Sequence, residues 1–256
     1  MQPHERITAA IRDAGSSGRT ALVPFLTAGY PEPADFIATL KDVASAGDVV
    51  EIGVPFSDPM ADGMTIQRSS FEALKKGVSL KWIFGQLRDA GSLETPLVMM
   101  SYLNPLLAYG YDRLADDAVA TGVCGFIVPD LPFEESDDIR AALEARGLGL
   151  IQLVTPATPD ERLAKLCAAS RGFVYAVTIT GITGGSTALP AGLADYLDKV
   201  SAASALPVCA GFGIRAAADV DNVGRHAAGA IVGSALVEVI ERGENAGEFL
   251  RRLSAR

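Results

Sequence analysis

Residues 148–177, "LGLIQLVTPATPDERLAKLCAASRGFVYAV", contain one complete strand–helix–strand unit. Two apolar runs without apolar–polar alternation flank a segment with helical periodicity and a charged outer face. Strands of this kind are buried on both faces, as in a parallel sheet, where a helix connects each strand to the next. The stretch therefore predicts a parallel βα architecture.

The same unit recurs along the whole chain. Eight short apolar runs lie at residues 21–29, 49–55, 96–102, 125–130, 148–156, 172–179, 206–214 and 229–236. The clearest helical segments between them are 33–47, 135–147, 158–170 and 216–229. Eight βα units in about 250 residues match the usual size of a (β/α)₈ barrel. We predict a single-domain TIM barrel over residues 1–256 with an extra N-terminal helix; a doubly wound open sheet is the alternative.

Charge and composition exclude several classes of function. With 31 acidic and 22 basic side chains, the formal net charge is −9, which gives no general attraction for nucleic acid or anionic lipid. Three cysteines far apart and two isolated histidines form neither a zinc motif nor a disulfide framework. The first residues lack the apolar segment of a secretion signal, and no run approaches a membrane span. We expect a cytoplasmic protein with no metal.

Glu51 is an unusual residue for a core strand. It lies in "VVEIGVPFSDPMADG", residues 49–63, and it points into the barrel if Val50 and Ile52 face the helices. An unpaired inward carboxylate is costly when ionised, so its pKa should rise, and such groups are usually kept for chemistry. A salt bridge is the alternative, but none of the eight apolar runs contains Lys or Arg.

Two long connections follow the second and sixth predicted strands, "FSDPMADGMTIQRSS" and "TGITGGSTALPAG". Loops after barrel strands open on the C-terminal face, where barrel active sites are built. We therefore expect Asp62 to lie over the same mouth as Glu51. Asp58 is a weaker candidate, because "SDP" is also an ordinary turn.

Glycine is frequent where the last predicted strands end, in "TGITGG" (180–185), "GFGI" (211–214) and "VGSA" (232–235). Barrels often bind phosphate with backbone N–H groups at these positions, and Ser234 could add a hydroxyl donor. Tight turns are the alternative explanation for the glycines. Arg215 is either an additional cation or part of the helix-facing surface.

Apolar side chains are predicted to fill the space between the carboxylates and the phosphate site. They are Phe25, Ile66, Met100, Leu153, Phe212 and Ile231. Tyr175 lies on the sixth predicted strand, from which its hydroxyl could reach a ligand. No Ser/His/Asp set, strand lysine or dinucleotide fingerprint competes, so the site suits proton transfer on a flat, apolar molecule with a phosphate tail.

The chain resembles the tryptophan synthase alpha chain family. The motifs that carry the resemblance run in order from about residue 5 to 250: "LVPFLTAGYP", "EIGVPFSDPMADGMTIQ", "YLNPLLAYG", "PDLPFEES", "GFVYAVTITGITG" and "GFGI". The resemblance implies cleavage of indole-3-glycerol phosphate to indole and glyceraldehyde 3-phosphate, without a cofactor. It also implies a pyridoxal-phosphate-dependent beta chain as partner, in an αββα complex that channels indole.

The resemblance further implies roles for individual residues. Glu51 would be the acid/base and Asp62 would hold the indole N–H. The remaining substrate-binding and phosphate-binding residues would be Tyr175, which lines the site, Thr183, which closes over Asp62, and Gly184, Gly213, Gly233 and Ser234, which bind phosphate. Phe25, Met100 and Phe212, from the apolar set predicted above, are also expected to bind the substrate.

The chain departs from the family pattern at Met64, where proline is usual, and after Gly184, where Gly185-Ser186-Thr187 stand. Loss of the fixed proline φ should loosen the loop that carries Asp62. Three other functions stay open at this point: a stand-alone indole-3-glycerol phosphate lyase, a non-catalytic activator of the beta chain, and another phosphate-binding barrel enzyme with a different substrate.

Overall fold

The computed structural model describes residues 1–178, 192–211 and 213–254. Within them, eight parallel strands follow one another in chain order and close into a barrel, with β8 paired to β1. The strands are β1 (Ala21–Thr27), β2 (Val50–Gly53), β3 (Leu97–Met100), β4 (Val123–Ile127), β5 (Gly149–Val154), β6 (Val174–Val177), β7 (Val208–Gly211) and β8 (Gly229–Val232).

One helix precedes the first strand, and the other helices follow the strands along the chain. They are α1 (Pro3–Ser16), α2 (Phe36–Ala44), α3 (Met64–Lys75), α4 (Leu80–Ala90), α5 (Leu103–Tyr109), α6 (Tyr111–Ala120), α7 (Asp137–Glu144), α8 (Asp160–Ala169), α9 (Leu193–Ala203), α10 (Ala217–Gly224), α11 (Ser234–Glu241) and α12 (Ala246–Ser254). No helix in the described ranges has the length and hydrophobicity that crossing a bilayer requires.

The predicted (β/α)₈ barrel with an extra N-terminal helix is confirmed, and the open doubly wound sheet is wrong. Most of the observed strands differ from the predicted runs by a few residues at one or both ends, and two boundaries are instructive. The fourth run was expected to begin at residue 125, but β4 begins at Val123. The eighth was expected to reach residue 236, but β8 ends at Val232 and α11 begins at Ser234. A helix that is buried nearly all round reads like a strand, because its apolar residues leave no clear period.

The core has two layers, as the alternation of side chains along each strand requires. Inside the barrel, a cluster of buried side chains includes Val23, Val49, Val98 and Phe173. A larger cluster, with Val50 and Ile52 among its members, joins the outer face of the strands to the helices. Val50 and Ile52 thus pack outward, and the side chain of Glu51 between them is directed inward.

Helix α1 lies across the N-terminal end of the barrel. Its Ile7 and Ile11 are fully buried within the inner cluster. The Thr8 hydroxyl donates to the Gly172 carbonyl at 2.7 Å, just before β6, and the Arg12 guanidinium donates to the Ala205 carbonyl at 3.0 Å, before β7. One end of the barrel is therefore closed, and the other is left for a ligand.

Candidate active site

A cavity of about 290 Å³ opens at the C-terminal end of the barrel. It brings together most of the site residues predicted from the sequence. Those that line it are Phe25, Glu51, Asp62, Ile66, Met100, Leu153, Tyr175, Gly213, Arg215, Ile231, Gly233 and Ser234. The predicted Thr183, Gly184 and Phe212 lie outside the described residues.

Glu51 forms part of the floor of this cavity. Its residue is 1% exposed, and its Oε2 atom has no hydrogen-bond partner in the described part of the chain. Burial, and to a smaller degree the charge of Asp62, raises the pKa of Glu51 to about 8. The Glu51 carboxyl is therefore protonated at neutral pH and available as a proton donor.

The neighbouring strand shows how the backbone makes room at this position. Phe25 is the register partner of Glu51 on β1. A β-carbon at Gly53 would lie 2.4 Å from the Phe25 ring, so only glycine lets that ring pack beside the carboxyl.

Asp62 reaches the cavity from the loop after β2, residues 54–63. Burial raises the pKa of Asp62 to about 6, although a hydrogen bond from Tyr102 opposes the shift. The Tyr102 hydroxyl donates to Asp62 Oδ2 at 3.1 Å. Asp62 is therefore mainly ionised at pH 7 while Glu51 is mainly protonated, and this difference separates an electrostatic stabiliser from an acid.

Backbone and side-chain hydrogen bonds hold this loop on the barrel. The Val54 N–H donates to the Met100 carbonyl at 2.8 Å, and Gln67 Nε2 donates to the Asp62 carbonyl at 2.8 Å. The connection is shorter than the sequence suggested, because its second half is α3, which begins at Met64. Asp58 is exposed and accepts a hydrogen bond from the Ser57 hydroxyl, as a turn residue does.

After β7 and β8, the cavity is bordered by glycines and by the N-terminus of a helix, which offer main-chain N–H groups. Gly213 has a φ of +55°, a left-handed conformation that side chains rarely adopt. Gly233 precedes α11, whose first residue is Ser234, so the N-terminus of this helix opens toward the cavity. Arg215 also lines the cavity, but its guanidinium forms a two-point ion pair with Glu238, at 2.8 and 3.1 Å.

Sequence reasoning missed two polar residues of the site. Tyr102 follows β3 by two residues, and Thr178 follows β6 by one, where its hydroxyl donates to the Gly211 carbonyl. Their positions after strands could have indicated that they lie at the C-terminal face. Their partners could not be foreseen, since the loop path is not encoded in any periodicity.

A larger hollow of about 860 Å³ lies elsewhere, between α1, α8 and α9. It is a less suitable active site, because several of the polar side chains around it already bond to the backbone; Thr8 and Arg12 are examples. In residues 1–178, 192–211 and 213–254, no group of three His, Cys, Asp or Glu side chains is arranged to hold a metal ion.

A (β/α)₈ barrel whose mouth holds a buried carboxylic acid beside an ionised carboxylate has the features of a barrel enzyme for acid–base chemistry. The family model for the tryptophan synthase alpha chain matches residues 11–255, and the chain belongs to that family. Members of the family are lyases that cleave indole-3-glycerol phosphate in tryptophan biosynthesis.

Individual relatives agree over nearly the full length. The tryptophan synthase alpha chain of Roseiflexus castenholzii is 48% identical over 241 residues, which cover 93% of this chain and 92% of the relative. That of Nitratidesulfovibrio vulgaris strain DP4 is 42% identical over 253 residues, 98% of each chain.

Solved structures give the same result. Tryptophan synthase subunit alpha from Legionella pneumophila str. Paris superimposes with a TM-score of 0.88 at 33% identity, covering 99% of this chain and 97% of that one. A chain of the aminoacrylate-bound tryptophan synthase from M. tuberculosis gives a TM-score of 0.86 at 35% identity, with 98% of both chains covered.

Proposed function

We propose that this chain cleaves indole-3-glycerol phosphate to indole and glyceraldehyde 3-phosphate, with Glu51 and Asp62 as its catalytic residues. The observation that carries this assignment is the placement of both carboxyl groups and of the α11 N-terminus around one cavity, with the two pKa values on opposite sides of neutrality. Family membership fixes the class of reaction, and the cavity geometry supports the roles of the residues.

Glu51 supplies the proton that starts the reaction. Breaking the bond between the ring and the glycerol chain leaves an electron pair that needs an acceptor. Protonation of the third ring carbon by Glu51 turns the indole into a cationic imine-like system, which accepts that pair. A carboxyl group with a pKa of about 8 is suited to this step, because it is protonated at pH 7 yet can lose its proton to a weak base.

Asp62 stabilises the positive charge that develops on the ring. Its carboxylate accepts the ring N–H, and the charge on that nitrogen grows as the carbon is protonated. Because the site is partly shielded from water, a fixed anion beside the nitrogen acts more strongly than it would in solution.

Glu51 then recovers a proton from the substrate. The glycerol hydroxyl next to the breaking bond loses its proton to the Glu51 carboxylate as its carbon becomes the aldehyde. The bonding pair returns to the ring, which leaves as neutral indole. One proton is given and one is recovered, so the step requires no cofactor, and we propose that the chain has none of its own.

The phosphate is held by main-chain N–H groups. Gly213, Gly233 and Ser234 face the cavity, and the helix N-terminus adds a favourable dipole for an anion. The family resemblance adds two residues to this proposal. Gly184 would donate a further main-chain N–H to the phosphate, and Thr183 would close over Asp62. Tyr175 borders the ring, and its hydroxyl stays protonated because burial, followed by the charges of Glu51 and Asp62, raises its pKa.

We further propose a beta chain that carries pyridoxal phosphate as the partner in an αββα complex. Three exposed apolar side chains at the mouth end support a partner surface: Met60 and Met64 after β2, and Leu107 on α5, are 82%, 79% and 57% exposed. The solved M. tuberculosis relative is described as tryptophan synthase. A single domain over residues 1–256 and a cytoplasmic location belong to the same proposal.

The test is product analysis with indole-3-glycerol phosphate, with and without a beta chain. We expect indole release by the chain alone and faster turnover in the complex. Indole-3-glycerol without its phosphate should be cleaved with a much higher KM. A chain that releases no indole in either condition, but accelerates the beta reaction, would instead be a non-catalytic activator. Full activity without any beta-chain binding would identify a stand-alone lyase.

A further inference from the structure

The hydroxyl of Tyr102 forms two hydrogen bonds with the loop after β2, residues 54–63. It donates to Asp62 Oδ2 at 3.1 Å, and it accepts the backbone N–H of Ala61 at 2.8 Å. A tyrosine hydroxyl has one hydrogen to donate. Because the Ala61 N–H occupies a lone pair, the hydroxyl hydrogen is directed to the Asp62 carboxylate.

The ring that carries this hydroxyl is itself fixed. Tyr102 is 4% exposed, and its ring stacks on Phe56 with centroids 4.9 Å apart and an interplanar angle of 24°. The next residue, Leu103, donates its backbone N–H to Asp130 Oδ1 at 2.9 Å. The Tyr102 hydroxyl is therefore held in a fixed position, and the Tyr102 ring itself lies just after β3.

Other contacts of Asp62 do not hold its carboxylate. Gln67 bonds the main-chain oxygen of Asp62, not the side chain. In residues 1–178, 192–211 and 213–254, no second side-chain donor to the carboxylate is found. Among the residues that the structure describes, Tyr102 is therefore the side chain that orients this carboxylate.

We propose that Tyr102 is a positioning residue for the cleavage of indole-3-glycerol phosphate, holding Oδ2 of Asp62 so that the rest of the carboxylate can accept the ring N–H. This inference rests on the proposed function. Tyr102 acts through Asp62 and takes no proton from the substrate.

The hydrogen bond from Tyr102 should also affect the pH dependence of the reaction, because it lowers the pKa of Asp62. Asp62 shares the cavity with Glu51, Tyr175 and Arg215, and the charge of Asp130 also acts on Tyr102. Burial raises the pKa of Asp62, and the Tyr102 hydrogen bond lowers it, with the result of about 6. Wild-type kcat/KM should thus be bell-shaped, with an acid limb near the pKa of Asp62 and an alkaline limb near that of Glu51.

The test is Tyr102→Phe, which keeps the ring and its stacking on Phe56. We expect kcat/KM at pH 7 to fall about tenfold and the acid limb to move to higher pH by about one unit, the size expected for one lost hydrogen bond to a charged group. The position of the limb does not depend on the concentration of folded enzyme, so a partial loss of stability leaves the readout intact.

Tyr109→Phe is the matched control. The Tyr109 hydroxyl donates to Asp117 Oδ2 at 2.5 Å on the outer helices α5 and α6, so this variant also loses one Tyr–Asp hydrogen bond. It should lower the unfolding midpoint and leave the pH profile unchanged.

Combination with Asp62→Asn tests whether Tyr102 acts through Asp62. In the Asp62→Asn background, Tyr102→Phe should cause no further loss of turnover. An additive loss, or a Tyr102→Phe enzyme with the wild-type acid limb, would overturn the inference and leave the proposed function standing. A wild-type chain without cleavage activity would overturn both.

Discussion

At the N-terminal end of the barrel, polar side chains of α1 donate hydrogen bonds to backbone carbonyls. At the C-terminal end, by contrast, one carboxyl oxygen of Glu51 has no hydrogen-bond partner among the described residues. Both ends are lined by strands of the same barrel. At the closed end, Thr8 and Arg12 have hydrogen-bond partners. At the open end, the buried carboxyl of Glu51 has an oxygen without one within the described ranges, and burial of such a group is costly in free energy.

This difference assigns stability and chemistry to separate ends of one fold. A buried polar group without a partner costs about 1–3 kcal/mol, and more if it is charged. The barrel tolerates that cost at Glu51 because the group stays neutral, with its pKa raised to about 8. The packing of α1 on the other end supplies stabilisation that does not depend on the site.

The largest effect should come from Glu51→Gln, which keeps the shape of the side chain and removes its proton. We expect kcat for indole release to fall about a thousandfold or more, because general acid–base catalysis typically contributes 10²–10⁴-fold. The circular dichroism spectrum should match that of wild type. Steady-state indole release by the purified complex is the measurement.

Glu134→Gln is its control, since Glu134 is an exposed carboxylate that pairs with Arg162. It should retain wild-type turnover. A Glu51→Gln enzyme that turns over within threefold of wild type would place the chemistry elsewhere and remove the contrast between the two ends.

The opposite pattern is expected at the closed end. Ile11 is fully buried in the inner cluster, so Ile11→Ala should lower the free energy of unfolding by about 2–5 kcal/mol. Ile11→Val should lower it by about 1 kcal/mol. Both should keep wild-type kcat under conditions in which the protein is fully folded, as checked by urea unfolding and indole release on the same samples. A lower kcat in the folded enzyme would show that the two ends are coupled.

A smaller effect should appear in the pH dependence of stability. The pKa of Glu51 is about 8 in the folded protein, against 4.5 for an ordinary glutamate, so the folded state keeps a proton that the unfolded state has released. This stabilisation is fully present below pH 4.5 and is lost as the pH rises through 8. From pH 5 to 8, the free energy of unfolding of wild type should fall by about 3–4 kcal/mol relative to Glu51→Gln, since the slope is at most 1.36 kcal/mol per pH unit. Parallel curves for the two proteins would contradict the buried, protonated state.

The fold was largely predictable from the sequence, and the reason is visible in β5 and α8. Apolar runs that end at glycine or proline, alternating with amphipathic segments, already define parallel βα units, and eight of them close a barrel. The direction of Glu51 followed from alternation alone. The boundaries at β4 and β8 were less predictable, because Gly125 lies inside a strand and α11 is apolar on most of its surface.

The side-chain contacts within the site were less predictable from the sequence than the fold. Periodicity places Tyr102 after β3 but says nothing of its bond to Asp62, which requires the loop of residues 54–63 to fold back across β3. The ion pair of Arg215 with Glu238 joins residues 23 positions apart and depends on how α11 packs. Chain spacing determines which end of the barrel a residue occupies, and the partner at that end is determined by packing.

The smallest predicted effect concerns Met64, at the border between the loop and α3. Met64 is the first residue of α3, where a backbone N–H needs no intrahelical partner, and Gly63 before it is extended, with φ −73° and ψ 162°. Both features are compatible with proline, so Met64→Pro should raise the free energy of unfolding by about 0.5 kcal/mol. It should also raise indole release without the beta chain, so that the ratio of activity with and without that partner falls.

Met60→Pro is the matched control at the other side of Asp62. Its side chain is equally exposed, but its backbone N–H donates to the Asp58 carbonyl at 2.9 Å, so proline there should lower both stability and turnover. If Met64→Pro left the activity ratio unchanged, or if the wild-type chain were already as active alone as in the complex, looseness of this loop would not be what separates the open end from the closed one. A fall in the ratio that comes from higher activity of the isolated chain, with the activity of the complex unchanged, would instead locate part of the beta chain's effect in the order of the residues that carry Asp62.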